Sequence, residues 1–216
     1  MSVYIVAIII SFFASIIGMT VKENRNPPFI FFPVFLLLTF SVEYYGDELS
    51  RRNMRTIDLY NIFSFCEFIF YMIFFRYLFQ SATIKKNILL VMLLYFIITL
   101  TNILFFQGKT QFHSYTYMLG CLVIVGLCVF YFYFLFRFPE TGTLTSNPYF
   151  WIVTGLMFFD ICTFTLYGLN NFIAQTMQRY DWVLFFVSDI LNILLYTSFT
   201  IGFLCKINIR KLLGSL

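Results

Sequence analysis

Five carboxylates stand in or beside long apolar runs: Glu43, Asp58, Glu67, Asp160 and Asp189. Glu67 lies in the middle of IDLYNIFSFCEFIFYMIFFRYLF, residues 57–79. At about 1.5 Å rise per residue, a helix of that length crosses a hydrocarbon layer about 30 Å thick, with Glu67 near its midplane. An ionisable side chain at that depth is costly, and it marks either a functional site or a hydrogen-bonded contact between helices. Asp160 falls near the centre of another apolar run, and Asp189 about a third of the way into a third. No lysine or arginine shares the middle of these runs; Arg76 sits at the end of its own, where its long stem can carry the charge to water. Carboxyls without a cation can stand neutral, donating hydrogen bonds to neighbouring polar side chains.

The residues around these acids are spaced for helices. Tyr60, Ser64, Glu67 and Tyr71 fall on one helical face, as do Tyr95, Thr99 and Asn102, then Asp160, Thr163 and Tyr167, and finally Asp189, Asn192 and Tyr196. Each polar stripe must turn toward protein or water. The functional expectation is a polar cavity lined by Tyr60, Ser64, Glu67, Asn102, Asp160, Asp189, Asn192 and Tyr196, which binds a cationic or hydrogen-bonding ligand or passes ions or protons. The alternative is a set of interhelical hydrogen bonds that specify packing.

Catalytic motifs are missing: the chain has no HExxH, no GxSxG and no glycine-rich phosphate loop. Asp160 and Asp189 lack the glycine-flanked setting of an intramembrane hydrolase. The lone His113 sits at a helix boundary, where solvation is the simplest expectation. The five cysteines form no CxxC pair and read as small buried thiols. Helix seven holds no lysine before Lys206, so it offers no retinal-type attachment point. These readings point away from an enzyme and away from a resident metal or cofactor.

The elements that position the acids follow from composition. Hydrophobic residues make up 61% of the 216 and charged residues only 11%, against about 25% charged in soluble domains. With a mean hydropathy of +0.86, the lipid bilayer is the expected solvent and partner, and nucleic acid is not. Thirty-two Phe and fifteen Tyr suit lipid-facing helices and interfacial belts. The first apolar run lacks a basic leader and a small-residue cleavage site, so it reads as a retained helix.

The expected fold is all-α: a polytopic membrane protein with one transmembrane domain over 1–216, built as a bundle of seven helices. They are expected over 3–19, 28–46, 57–79, 87–106, 115–136, 148–168 and 182–204. On helix one, Ala7, Ser11, Ser15 and Gly18 form a small-residue stripe for close approach. Pro28 can open helix two and Pro33 should kink or strain its first turns. GDELSRRNMRT reads as a charged loop. Asn147 followed by Pro148 is a cap and first-turn pair for helix six. Of the fourteen Lys and Arg, five (Arg51, Arg52, Arg55, Lys109, Arg179) fall at the end that holds loops two, four and six, and nine at the other. The positive-inside rule then places the N-terminus outside and the C-terminus in the cytoplasm. The basic tail KINIRKLLGSL could meet anionic headgroups or a partner, lipid being the favoured contact.

The segments HSYTYMLGCLVIVGLCVFYFYFLF, NPYFWIVTGLMFFDICTF and ILNILLYTSFTIGFLCK, with the short NPxFWI signature, resemble the small seven-helix inner-membrane proteins of bacteria that are sometimes encoded beside sensor histidine kinases. The resemblance implies a stand-alone sensory or accessory module in the inner (cytoplasmic) membrane. The expected function is receptor-like signalling: a ligand enters an outward-facing cavity, shifts helices three, six and seven, and the change is reported to a cytoplasmic or membrane signalling protein. The alternative is an ion or proton channel, transporter or pore-forming effector, acting as a homo-oligomer where the acids line an axis.

Overall fold

The computed structural model describes residues 3–20, 27–108, 110–138, 143–173 and 181–206. Among them are seven helices and no strand: α1 (Val3–Gly18), α2 (Pro27–Arg51), α3 (Ile57–Leu78), α4 (Ala82–Phe106), α5 (Ser114–Arg137), α6 (Pro148–Ile173) and α7 (Asp181–Leu204). The turn around Lys22 and Arg25, Lys109, residues 139–142, Arg179 and the tail from 207 lie outside the described residues.

Six of the helices, α2 to α7, are long and apolar enough to cross a membrane; α1, at 16 residues, is shorter. The chain is therefore built as a multi-pass membrane protein. Many large apolar side chains point out of the bundle, as Leu93, Phe105 and Phe186 do, and lipid is the solvent that accepts such a surface.

The helices pack as a ring, α1–α2–α3–α5–α6–α7, which closes where α7 meets α1, while α4 lies outside against α3 and α5. The closure depends on the small-residue stripe of α1. Ser11, Ser15 and Gly18 are buried, and a Cβ on Gly18 would lie 2.8 Å from the Phe203 carbonyl oxygen of α7. On α4 the sequence stripe is the buried face: Tyr95, Thr99 and Asn102 are all covered, and most of the rest of the helix is exposed apolar surface.

Three boundaries differ by five residues from the sequence reading, one of them the end of α6, which runs past Gly168 to Ile173. Helix α2 continues past Gly46 to Arg51, taking in most of the expected charged loop. Arg51 pairs with Asp47 at 3.0 Å and Arg52 with Glu48 at 2.7 Å, both at i,i+4 spacing, so the charges support the last turns and do not end them. The helix stops at Asn53, whose φ of 54° and the Met54 N–H to Leu49 carbonyl bond of 2.9 Å make a left-handed cap. Helix α4 starts at Ala82, five residues early, and ends in a π-helical turn over Asn102–Phe106. Pro33 lies inside α2 without ending it. The Asn147 cap forms as expected, with Oδ1 accepting the Tyr149 N–H at 3.0 Å.

The two ends of the bundle differ in chemistry. Among the described residues the carboxylates lie toward the end that holds the start of α3 and the end of α2, or midway along their helices, as Glu67 and Asp160 do. At the opposite end a cluster of rings fills the core: Phe32 meets Phe74, Phe199 and Phe203 edge-on at 5.3–5.5 Å, and Phe29 packs on Phe203 and Tyr149. Phe29, Phe32, Phe74, Phe199 and Phe203 are all at most 2% exposed, so rings fill the interior there.

Candidate functional site

The site is a line of acids that runs inward from a rim. At the rim, Asp189 of α7 is half-buried, and its charge reaches Glu43 of α2 and Tyr4 of α1. Glu43 comes next. Its Oε2 accepts the hydroxyls of Tyr4 at 2.5 Å and Tyr60 at 3.3 Å, which ties α1, α2 and α3 together at one atom. Gly46, one turn on from Glu43, leaves the room: a Cβ there would lie 2.5 Å from the Tyr60 hydroxyl.

Deeper in, Glu67 of α3 is 8% exposed and its Oε1 accepts the Tyr71 hydroxyl at 3.0 Å. Tyr196 of α7, 3% exposed, completes this tier and lies within electrostatic reach of both Glu67 and Glu43. Glu67 in turn lies within electrostatic reach of both Glu43 and Asp160. Asp160 of α6 ends the line at 1% exposure, with the Cys121 thiol of α5 beside it. Among the described residues its Oδ2 has no hydrogen-bond partner. Among the described residues no lysine or arginine offsets Glu67 or Asp160.

Aromatic rings wall the line. Tyr117 and Tyr167 stand 4.7 Å apart between centroids, with Phe112 stacked on Tyr167 at 5.3 Å. Among the described residues no three of His, Cys, Asp and Glu gather closely enough to hold a metal ion. The acids are thus a ladder and not a coordination shell, able to accept hydrogen bonds, protons or a cation in sequence.

Of the eight residues singled out from sequence, five join this line: Tyr60, Glu67, Asp160, Asp189 and Tyr196. Three do not. Ser64 bonds its own helix, through the carbonyls of Tyr60 at 2.8 Å and Asn61 at 3.3 Å. Asn192 does the same with Ser188 at 3.0 Å. These short side chains fold back onto the preceding turn, so a shared face does not bring them to the acids. Asn102 is buried but serves the α4–α5 turn, donating to Gln107 Oε1 at 2.8 Å. That turn also corrects the expectation for His113. It is 8% exposed, with Nε2 2.8 Å from the Gly108 carbonyl and its N–H on Asn61 Oδ1 at 2.9 Å, and is held rather than solvated.

Sequence reasoning missed Tyr4 and Cys121 as site residues and left Glu43 out of the expected cavity lining. Glu43 carried a signal in the two tyrosines of other runs that could reach it; Cys121 carried none. Asp58, by contrast, stays out of the line, 3.5 Å from Arg55 on the exposed surface.

No family model matches the chain, and no curated protein or solved structure matches it either. What the line can do must be argued from its own chemistry.

Proposed function

We propose that the protein is a receptor-like or accessory signalling module that spans the inner membrane of a bacterial cell seven times, with its N-terminus outside. The ligand enters from the outer side at Asp189 and Glu43, engages Glu67 and Asp160, and shifts α3, α6 and α7. The cytoplasmic ends report that shift to a signalling partner, and the resemblance to modules encoded beside sensor histidine kinases makes a kinase the first partner to test. One observation supports this reading: the line of acids reaches the middle of the bundle at Glu67 and Asp160, and further along the same helices the interior is filled by the packed rings of Phe32, Phe74, Phe199 and Phe203. A line that enters and does not leave suits reception better than passage.

The line itself favours a second reading, a proton or cation path that opens in another state. The two separate in liposomes. The receptor reading expects no ion flux under an applied potential, and co-purification with a kinase or another signalling protein. Flux that Glu67→Gln changes would establish the channel or transporter instead. If Glu67→Gln and Asp160→Asn alter stability alone, with neither flux nor a partner's activity affected, the acids serve packing.

A further inference from the structure

The unpartnered oxygen of Asp160 identifies what the line receives. A carboxylate oxygen inside a membrane protein, out of reach of water and of any donor, holds its negative charge at high cost. A metal ion would relieve that cost by gathering several ligands, and the described residues bring no such group together. A large ligand would need its own donors beside Oδ2, where the neighbouring atoms leave that oxygen without accessible surface. A proton needs only the oxygen itself. The acids above Asp160 provide the steps by which one arrives: half-buried Asp189, then Glu43, then Glu67. Beyond Asp160, the ring cluster of Phe32, Phe74 and Phe199 packs edge to face.

We propose that Asp160, reached through Glu67, is the blind terminus of a proton entry path, and that the proton is the ligand of this membrane module. The proton leaves water at the rim and forms an O–H bond at Oδ2. Nothing else is made or broken. The titratable groups that face Asp160 are Glu67 and Tyr71 of α3 and Tyr117, Cys121 and Cys128 of α5. Glu67 is also faced by Glu43 of α2, Tyr95 of α4, Tyr167 of α6 and Tyr196 of α7. All of these are acids, phenols or thiols. Protonation therefore removes the repulsion between Glu67 and Asp160, and deprotonation restores it across α3 and α6. Those are two of the helices whose shift the proposed signalling requires, so the inference rests on that reading for its output but not for its binding event.

The test is infrared difference spectroscopy of the full chain in lipid nanodiscs, following the carboxylic acid carbonyl band between about pH 5 and about pH 9, a range above the usual transitions of exposed Asp and Glu, so that those side chains are already ionised. The wild type is expected to lose a buried carboxylic acid band as pH rises. Asp160→Asn should abolish that band, and Asp160→Glu should keep it at a shifted frequency. Glu67→Gln should move its midpoint, while Asp58→Asn should leave it unchanged. A band absent over the whole range, or one that survives in Asp160→Asn, overturns the proposal; Asp160→Glu keeps the question decidable where the asparagine variant fails to fold. This measurement needs neither partner nor flux. A titrating band in a protein that conducts ions would sink the receptor reading and leave the proton site standing, and a silent band in a protein with a kinase partner would do the reverse.

Discussion

Tyr71 shows how a single hydroxyl can carry a site. It is 1% exposed and donates to Glu67 Oε1 at 3.0 Å. Removing a donor from a buried carboxyl leaves the acceptor to bear its desolvation alone, so Tyr71→Phe should cost about 1–3 kcal/mol. Ser64 and Asn192 offer the contrast. Their side chains return to their own helices and touch no acid, so Ser64→Ala and Asn192→Ala should each stay within about 0.5 kcal/mol of wild type. Thermal unfolding of the three variants in detergent measures both. Equal losses in all three would show that the polar stripes act as one lining, as the sequence suggested. The spacing of these residues placed them on common faces correctly; it could not show which would bond across helices and which back onto the preceding turn.

Among the elements, α1 is the one whose position is most constrained by small residues. Gly18 lies where any side chain would press on the backbone of α7 at Phe203. Gly18→Ala should cost about 1–3 kcal/mol through overpacking, and it should loosen the hold of Tyr4 on Glu43, since the same helix carries both ends of that arrangement. Hydrogen exchange of the α1 and α7 amides in nanodiscs reads the loosening directly, and unchanged protection in both helices would contradict it. The stripe on α1 was legible as a packing face because small residues at helical spacing have few other uses. The partner was not, because residue 18 meets residue 203 only when the ring closes. The longer reach of α2 was hidden for a related reason: charged residues that look like a loop in composition are also good last-turn pairs.

For the whole molecule the decisive property is the difference between its two ends. In the proposed orientation, an impermeant maleimide added to intact cells should label Arg52→Cys, at the end of α2, and spare Lys86→Cys, at the start of α4, until the membrane is permeabilised. Both positions are exposed, so reaction reports sidedness alone. The reverse pattern would invert the orientation, and the proton path would then open to the cytoplasm.

By itself the sequence determined that the bilayer is the solvent, that the elements are helices, and that carboxylates sit within them. Composition and periodicity are local properties, and they survive whatever the helices do next. Only the tertiary structure decided that α4 stands outside the ring, that Glu43 belongs with Tyr4 and Tyr60, and that Asn102 and His113 belong to a turn. It also decided that Asp160 ends beside a cysteine with one oxygen unmatched. Each of these depends on which helix faces which, and residues far apart in the chain share a site only after the ring has closed around them.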